Sequence, residues 1–161
     1  VPFHEKGIFD VPDNWWRCAD YYNLPLDEWY DVLKRAVQSG YSVALAGDTS
    51  EPGYNGLEDA AIIPEFDIPQ SHINQSSREL RFHNSTTTDD HAIHLVGHTV
   101  VNDRDWFLIK DSARSARNGK WKGFYFYRGD YVRLKIMAFL VHKDVLEETG
   151  SLPISVVDEA R

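Results

Sequence analysis

Apolar side chains recur at three- and four-residue intervals in one long stretch of the chain, LDEWYDVLKRAVQS at 26–39. Leu26, Trp29, Tyr30, Leu33, Ala36 and Val37 share a face at that spacing, which predicts an amphipathic helix. Asp27 and Glu28 in its first turn, Lys34 and Arg35 late in it and Gly40 behind it suit the helix dipole and a glycine stop. Tyr41–Ala46 then reads as a short buried strand. Residues 1–25 are aromatic-rich and interrupted by Pro2, Pro12 and Pro25, which predicts irregular structure packed on something larger. From Gly47 to Thr88 the pattern dissolves into Gly, Pro, Asn, Ser and Asp with brief apolar islands. A loop-rich stretch of that length in a compact domain is usually functional or wraps a neighbour.

Beyond it come three strand-like runs, Ala92–Val101, Trp106–Lys110 and Lys122–Tyr127, the first two joined by a hairpin at Asn102-Asp-Arg-Asp. A helical turn around Asp130–Lys135 leads into a fourth apolar run at Ile136–His142. One main helix followed by antiparallel strands gives an α+β fold, and 161 residues without an internal repeat suit a single domain.

Charge narrows the functional classes. The net charge of −8 carries no basic footprint for nucleic acid or anionic lipid, and no apolar run approaches the ~20 residues of a membrane span. The start, VPFHEKGIFD, lacks the pattern of a signal peptide, and compartment stays open. A lone cysteine, Cys18, excludes an internal disulfide framework and a multi-cysteine zinc site. Asn74-Gln-Ser and Asn84-Ser-Thr match the glycosylation pattern, which has meaning only in a secretory context.

The chemistry concentrates in TTTDDHAIHLVGHTVVNDRDWFLIKDSARS, residues 86–115. On a helix, His91, His94 and His98 would share a face and form a plausible zinc triad. The β-branched residues and the glycine between them favour a strand, which sends His91 to one face and His94 with His98 to the other. That separation argues against a metal. His91 instead has a partner in Asp111, which ends the next strand of the hairpin. Strands lie ~4.8 Å apart, so the two are neighbours. A carboxylate accepting from one imidazole nitrogen fixes the tautomer and leaves the other nitrogen as a base.

These residues carry a resemblance. His91-Ala-Ile-His-Leu-Val-Gly, then Trp106-Phe-Leu-Ile-Lys-Asp111-Ser112, then Gly119 to Gly123-Phe-Tyr-Phe is similar to the C-terminal half of papain-like cysteine peptidases. Leu33–Gly40 leading to Val43-Ala-Leu-Ala-Gly47-Asp48, the Thr87–His91 approach and Gly129-Asp-Tyr-Val-Arg-Leu-Lys look more specifically like the bleomycin hydrolase and aminopeptidase C branch. The likeness spans roughly 20–147. It implies the antiparallel, barrel-like C-terminal half of a papain-like fold, His91 as general base and Asp111 in the place of the orienting Asn. It implies a peptide substrate and no cofactor; assembly into a homo-oligomeric ring like that of similar enzymes stays open, as does the choice between their cytoplasmic location and a secreted or periplasmic one.

Two departures matter. Aspartate for asparagine would stabilise the imidazolium more strongly. The Trp that follows the Asn-Ser pair in those enzymes is replaced in Asp111-Ser112-Ala113-Arg114, which predicts easier water access to the His–Asp bond, with Trp121 a candidate cover. The nucleophile is also unaccounted for. Cys18 lies in Trp15-Trp16-Arg17-Cys18-Ala19-Asp20, without the Cys-Trp order, and reads as a buried structural thiol; Ser112 has no nucleophile elbow around it. The expectation is a fragment that supplies His91 and Asp111 and is inactive without a missing N-terminal, Cys-bearing half. The alternative is a catalytically silent peptide-binding or interaction module. A half separated from its partner should expose apolar surface, with Trp15, Trp16, Tyr21 and Tyr22 near that face.

Overall fold

A computed structural model describes residues 1–149 of the chain. Two short strands, β1 (Lys6–Gly7) and β2 (Tyr21–Tyr22), tie the N-terminal segment into an antiparallel ribbon. Between them Asn14 is buried; its side chain donates to the carbonyls of Phe9 and Cys18 at 2.9 and 3.0 Å and accepts from the Cys18 amide at 2.8 Å. Phe9 stacks on Phe82 from a later helix, so this irregular segment packs on the rest of the domain as expected.

Helix α1 (Leu26–Gln38) buries Leu26, Trp29, Tyr30, Val32, Leu33 and Ala36. Gly40 ends it at φ +88°, a conformation that side chains with a Cβ disfavour. The remaining strands form one curled seven-stranded sheet in the order β4-β5-β8-β7-β6-β3-β9. They are β3 (Val43–Gly47), β4 (Tyr54–Asn55), β5 (Ala60–Ala61), β6 (His91–Val101), β7 (Arg104–Lys110), β8 (Phe124–Arg128) and β9 (Ile136–Leu140). All pairings are antiparallel except β5 with β8. The fold is α+β. Its core lies between α1 and the sheet and is filled by Leu33, Val43, Leu45, Leu95, Phe107, Ile109, Tyr125, Tyr127 and Tyr131.

The β6–β7 hairpin turns through Asn102 and Asp103, both left-handed at φ +50° and +57°. That pair of positive angles matches the right-handed twist of the strands, and Asn and Asp tolerate it better than other side chains. Phe124 to Tyr127 alternate as a strand dictates: Tyr125 and Tyr127 are buried, while Phe124 and Phe126 are half-buried on the other face.

The structure departs from the sequence pattern in two places. Within the loop-rich stretch lies a second helix, α2 (Gln75–His83), capped by the Asn74 side chain, which accepts from the Ser77 amide at 3.0 Å. It has no apolar stripe because its one buried residue is Arg78. The guanidinium donates to the carbonyls of Arg133 and Met137 at 2.7 and 3.0 Å and lies 4.7 Å over the Trp29 ring. The second departure is in β6. Its ladder with β7 shifts between Leu95 and Gly97, a bulge that inserts one residue and inverts the alternation. His98 therefore opposes the buried Phe107 and is itself almost fully buried, whereas His94 is exposed. His94 and His98 do not share a face, contrary to the strict alternation expected of them.

Two further helices, α3 (Gly129–Lys135) and α4 (Lys143–Thr149), flank β9. Arg128-Gly129-Asp130 is an internal clamp. Arg128 donates to Asp130 Oδ2 from Nε at 2.8 Å, and Asp130 Oδ1 accepts from the Tyr131 amide at 2.7 Å. No helix among the described residues is long and apolar enough to cross a membrane.

Candidate functional site

His91 opens β6 and pairs with Gly47 at the end of β3, where the β3–β9 register also shifts. A Cβ on Gly47 would meet the Lys135 carbonyl oxygen at 2.5 Å and Ile136 Cα at 2.8 Å, so only glycine lets the three chain segments converge under the histidine. Asp111 lies one residue beyond β7. The paired residues nearest to it are His94 and Lys110, and continuing that register makes Asp111 the diagonal neighbour of His91 on the core face. His91 Nε2 lies 2.8 Å from Asp111 Oδ1.

The two ends of this pair differ in their access to water. The Asp111 side chain has no exposed surface, while that of His91 is 26% exposed. Asp111 is held on both oxygens: Oδ1 also accepts from the Ala113 amide at 2.8 Å, and Oδ2 accepts from the Tyr54 hydroxyl at 2.9 Å. With Nε2–H donated to the carboxylate, the lone pair resides on Nδ1, which makes no hydrogen bond among the described residues. That atom can take a proton from an acidic group that approaches the exposed edge of the ring.

Water access to the bond is lower than the Asp111-Ser112-Ala113 sequence suggests. Trp121 does not provide the cover: it is half exposed on the surface, with the Lys120 ammonium 4.7 Å over its ring. Tyr54, on edge strand β4, does so. Its ring lies 4.5 Å from that of Tyr125 and 6.1 Å from that of Tyr127, wedged between the sheet and Asp111. Burial, followed by the neighbouring Tyr125 phenol and the Asp111 carboxylate, raises the Tyr54 hydroxyl well above the ordinary phenol range, so it keeps its proton. The sequence offers no sign of this residue, since Gly53-Tyr54-Asn55-Gly56 reads as a turn.

A second histidine–aspartate pair stands at the other end of the hairpin and shows what the first is not. His98 Nε2 lies 2.7 Å from Asp105 Oδ1, and its Nδ1 is 3.4 Å from Gln38 Nε2. Asp105 also accepts from the Tyr30 hydroxyl at 2.9 Å and the Lys34 ammonium at 3.0 Å. Burial would raise this carboxylate, but hydrogen bonds from His98, Lys34 and Tyr30 outweigh it and hold it below its ordinary value. Both nitrogens of His98 are engaged and its ring is buried, so it joins strands and helix rather than meeting a substrate.

The approach to His91 is anchored by charge. Lys135 is almost fully buried; its ammonium pairs with Glu51 and donates to Thr87 Oγ1 at 2.8 Å. Asp48 Oδ2 accepts from the Thr88 amide at 3.0 Å, and Asp90 Oδ1 accepts from the Thr49 amide at 3.1 Å. These contacts fasten residues 48–51 to residues 87–90, immediately before the histidine. A cleft of about 560 Å³ reaches Asp111 but is not lined by His91; its walls include His94, Lys110, Ser112, Arg117 and Lys122. Cys18 is half-buried rather than buried, with its thiol 3.9 Å from Asp20 Oδ2. Among the described residues, no group of three or more His, Cys, Asp or Glu could hold a metal ion.

No family model matches the chain, and no curated protein sequence does. Among solved structures it is similar to PepW from Lactobacillus rhamnosis HN001 (DR20), with a TM-score of 0.53 at 16% sequence identity. The likeness covers 82% of this chain and 31% of that one, so the chain spans less than a third of the length of PepW. At that identity it shows the fold alone: an α+β architecture like part of a peptidase chain.

Proposed function

We propose that residues 1–161 supply the histidine-bearing half of a papain-like cysteine peptidase of the bleomycin hydrolase and aminopeptidase C type. The observation that carries this reading is the His91–Asp111 bond of 2.8 Å, formed from Nε2 and sealed at the aspartate, with Nδ1 left unpartnered on a partly exposed ring. Asp111 orients the imidazole and stabilises its cation; His91 Nδ1 takes the proton of a thiol and later returns one to the leaving amine. The thiol belongs to a Cys-bearing half outside these 161 residues, and the substrate peptide lies between the halves. The partial likeness to PepW supports a peptidase-like fragment of this kind. A papain-like thiolate forms an ion pair with the imidazolium, and a carboxylate at position 111 strengthens the cation side of that pair.

The test is reconstitution. The 161-residue chain alone should cleave no peptide, with or without Cys18→Ser. The chain joined to the matching N-terminal half of its parent should cleave aminopeptidase substrates in a thiol-dependent way, and His91→Ala should abolish this. Thiol-dependent cleavage by the chain alone, lost in Cys18→Ser, would place the nucleophile within these residues. A reconstituted pair that binds peptides but cleaves none would make this a silent binding module, the reading that the altered residues after Asp111 favour.

A further inference from the structure

We infer that Tyr54 is a positioning residue for His91: its hydroxyl holds the second oxygen of Asp111 and sets how strongly that carboxylate pulls on the imidazole. An asparagine presents His with one neutral acceptor oxygen. Asp111 presents a full negative charge from a site without solvent exposure, where Coulombic effects are least screened. Left bare, such a group would bind the imidazolium tightly and slow the return of its proton to a leaving group. The structure distributes that charge over three donors. Oδ1 is shared by His91 at 2.8 Å and the Ala113 amide at 2.8 Å, and Oδ2 is occupied by the Tyr54 hydroxyl at 2.9 Å. A hydrogen bond to the ionised form draws its charge toward the donor.

The placement of Tyr54 suits this role. The residue reaches Asp111 across 57 residues of sequence, from an edge strand of only two residues, with its ring fixed against Tyr125 and Tyr127. The hydroxyl keeps its proton throughout the working pH range, so it donates at all times. The same hydroxyl can accept from an asparagine Nδ2–H, so Tyr54 serves either residue at position 111 but tunes charge only when it is aspartate.

As a claim about catalysis this rests on His91 being the base; as a claim about proton affinity it can be read without turnover. Other ionisable groups around the dyad are Asp89 and Asp90 in the approach to His91, Asp90 being tied to Thr49, Asp48, whose carboxylate is bonded to Ser50 and Thr88, the Lys135–Glu51 pair behind that approach, and Lys110, Arg117 and Lys122 along the cleft that Asp111 lines. None of them contacts Tyr54 through a hydrogen bond, so they form a common background to every variant.

The experiment follows the His91 ring signals by NMR through a pH titration of the 161-residue chain. Four forms are compared: unaltered, Tyr54→Phe, Asp111→Asn, and the double variant. Tyr54→Phe should raise the His91 midpoint by about 0.5–1 pH unit, a fraction of the ~1–3 units of a full opposite charge. In the Asp111→Asn background the same change should move it by less than about 0.2 unit, since the charge being tuned is gone. Fluorotyrosine at position 54, a stronger donor of the same shape, should lower the midpoint, which keeps the idea testable if the phenylalanine form folds poorly. No shift in either Tyr54 variant, or equal shifts with aspartate and asparagine at 111, would overturn the inference. Because no cleavage is measured, that failure is distinct from failure of the peptidase reading.

Discussion

Replacing Asp89 by asparagine should stabilise the protein at neutral pH and do little at acid pH. Asp89 is half-buried two residues before His91, and burial, with the Asp13 and Asp90 carboxylates behind it, raises its pKa from 3.8 to about 6. The folded state therefore holds a proton that the unfolded chain gives up near pH 4. Between these values the native form binds more protons, so stability falls as pH rises through the window, and the loss is complete above about pH 7. The full shift is worth about 3 kcal/mol at ~1.36 kcal/mol per unit. The side chain stays partly open to solvent, and screening reduces this to about 1 kcal/mol. Urea unfolding of both forms at pH 7.5 and pH 4 gives the answer. The expected gain for Asp89→Asn is about 1 kcal/mol at pH 7.5 and close to zero at pH 4, with the same urea dependence. An equal effect at both pH values would show that the carboxylate charge is not responsible. A loss at pH 7.5 would show that the charge makes a favourable contact, and the reasoning would fail.

Lys135→Met should lower stability by about 2–4 kcal/mol, near the range for breaking a buried pair but eased because the Glu51 left behind can reach water. A thermal melt should then shift down by roughly 5–10 °C; an unchanged midpoint would mean that the ammonium contributes nothing. Zinc should not bind stoichiometrically by calorimetry, because His91 and His98 are each committed to an aspartate and His94 projects alone from the outer face. Uptake of one equivalent, lost in His94→Ala, would contradict this. Trp15 and Trp16 are 81% and 59% exposed and pack edge to face at 5.5 Å, an apolar doublet suited to burial against another surface. Sedimentation should show self-association rising with concentration and reduced in Trp15→Ser/Trp16→Ser; a monomer at every concentration would exclude it.

What the sequence discloses and what it conceals divide along the range of the interactions. The helix at 26–38, the β6–β7 hairpin and the neighbourhood of His91 and Asp111 are legible because each follows from alternation or spacing within a few dozen residues. The face of His98 escapes the pattern because one bulged residue at Val96 inverts the alternation, and nothing in Leu-Val-Gly announces it. Helix α2 is hidden for a different reason: its inward residue is an arginine, and hydrophobic periodicity has no means of registering a buried guanidinium that is satisfied by two distant carbonyls.

The supports of the site share this property. Tyr54 meets Asp111 across 57 positions, Lys135 meets Glu51 across 84, and Asp48 meets the Thr88 amide across 40. Each joins polar groups that, taken alone, predict exposure. Their burial is tolerable only because the partner arrives from elsewhere in the chain, so each side chain is meaningless locally and necessary globally. This also explains why the stretch from Gly47 to Thr88 looks like loop yet supplies much of the site's framework. A segment that must deliver Asp48, Glu51, Tyr54, Arg78 and Thr87 to fixed polar partners is constrained by hydrogen bonds rather than by an apolar stripe, and turn-forming residues give it the freedom to reach them. Substitutions there should accordingly disturb His91 more than substitutions of equal size on the exposed face of α1, although α1 is the clearer element in the sequence.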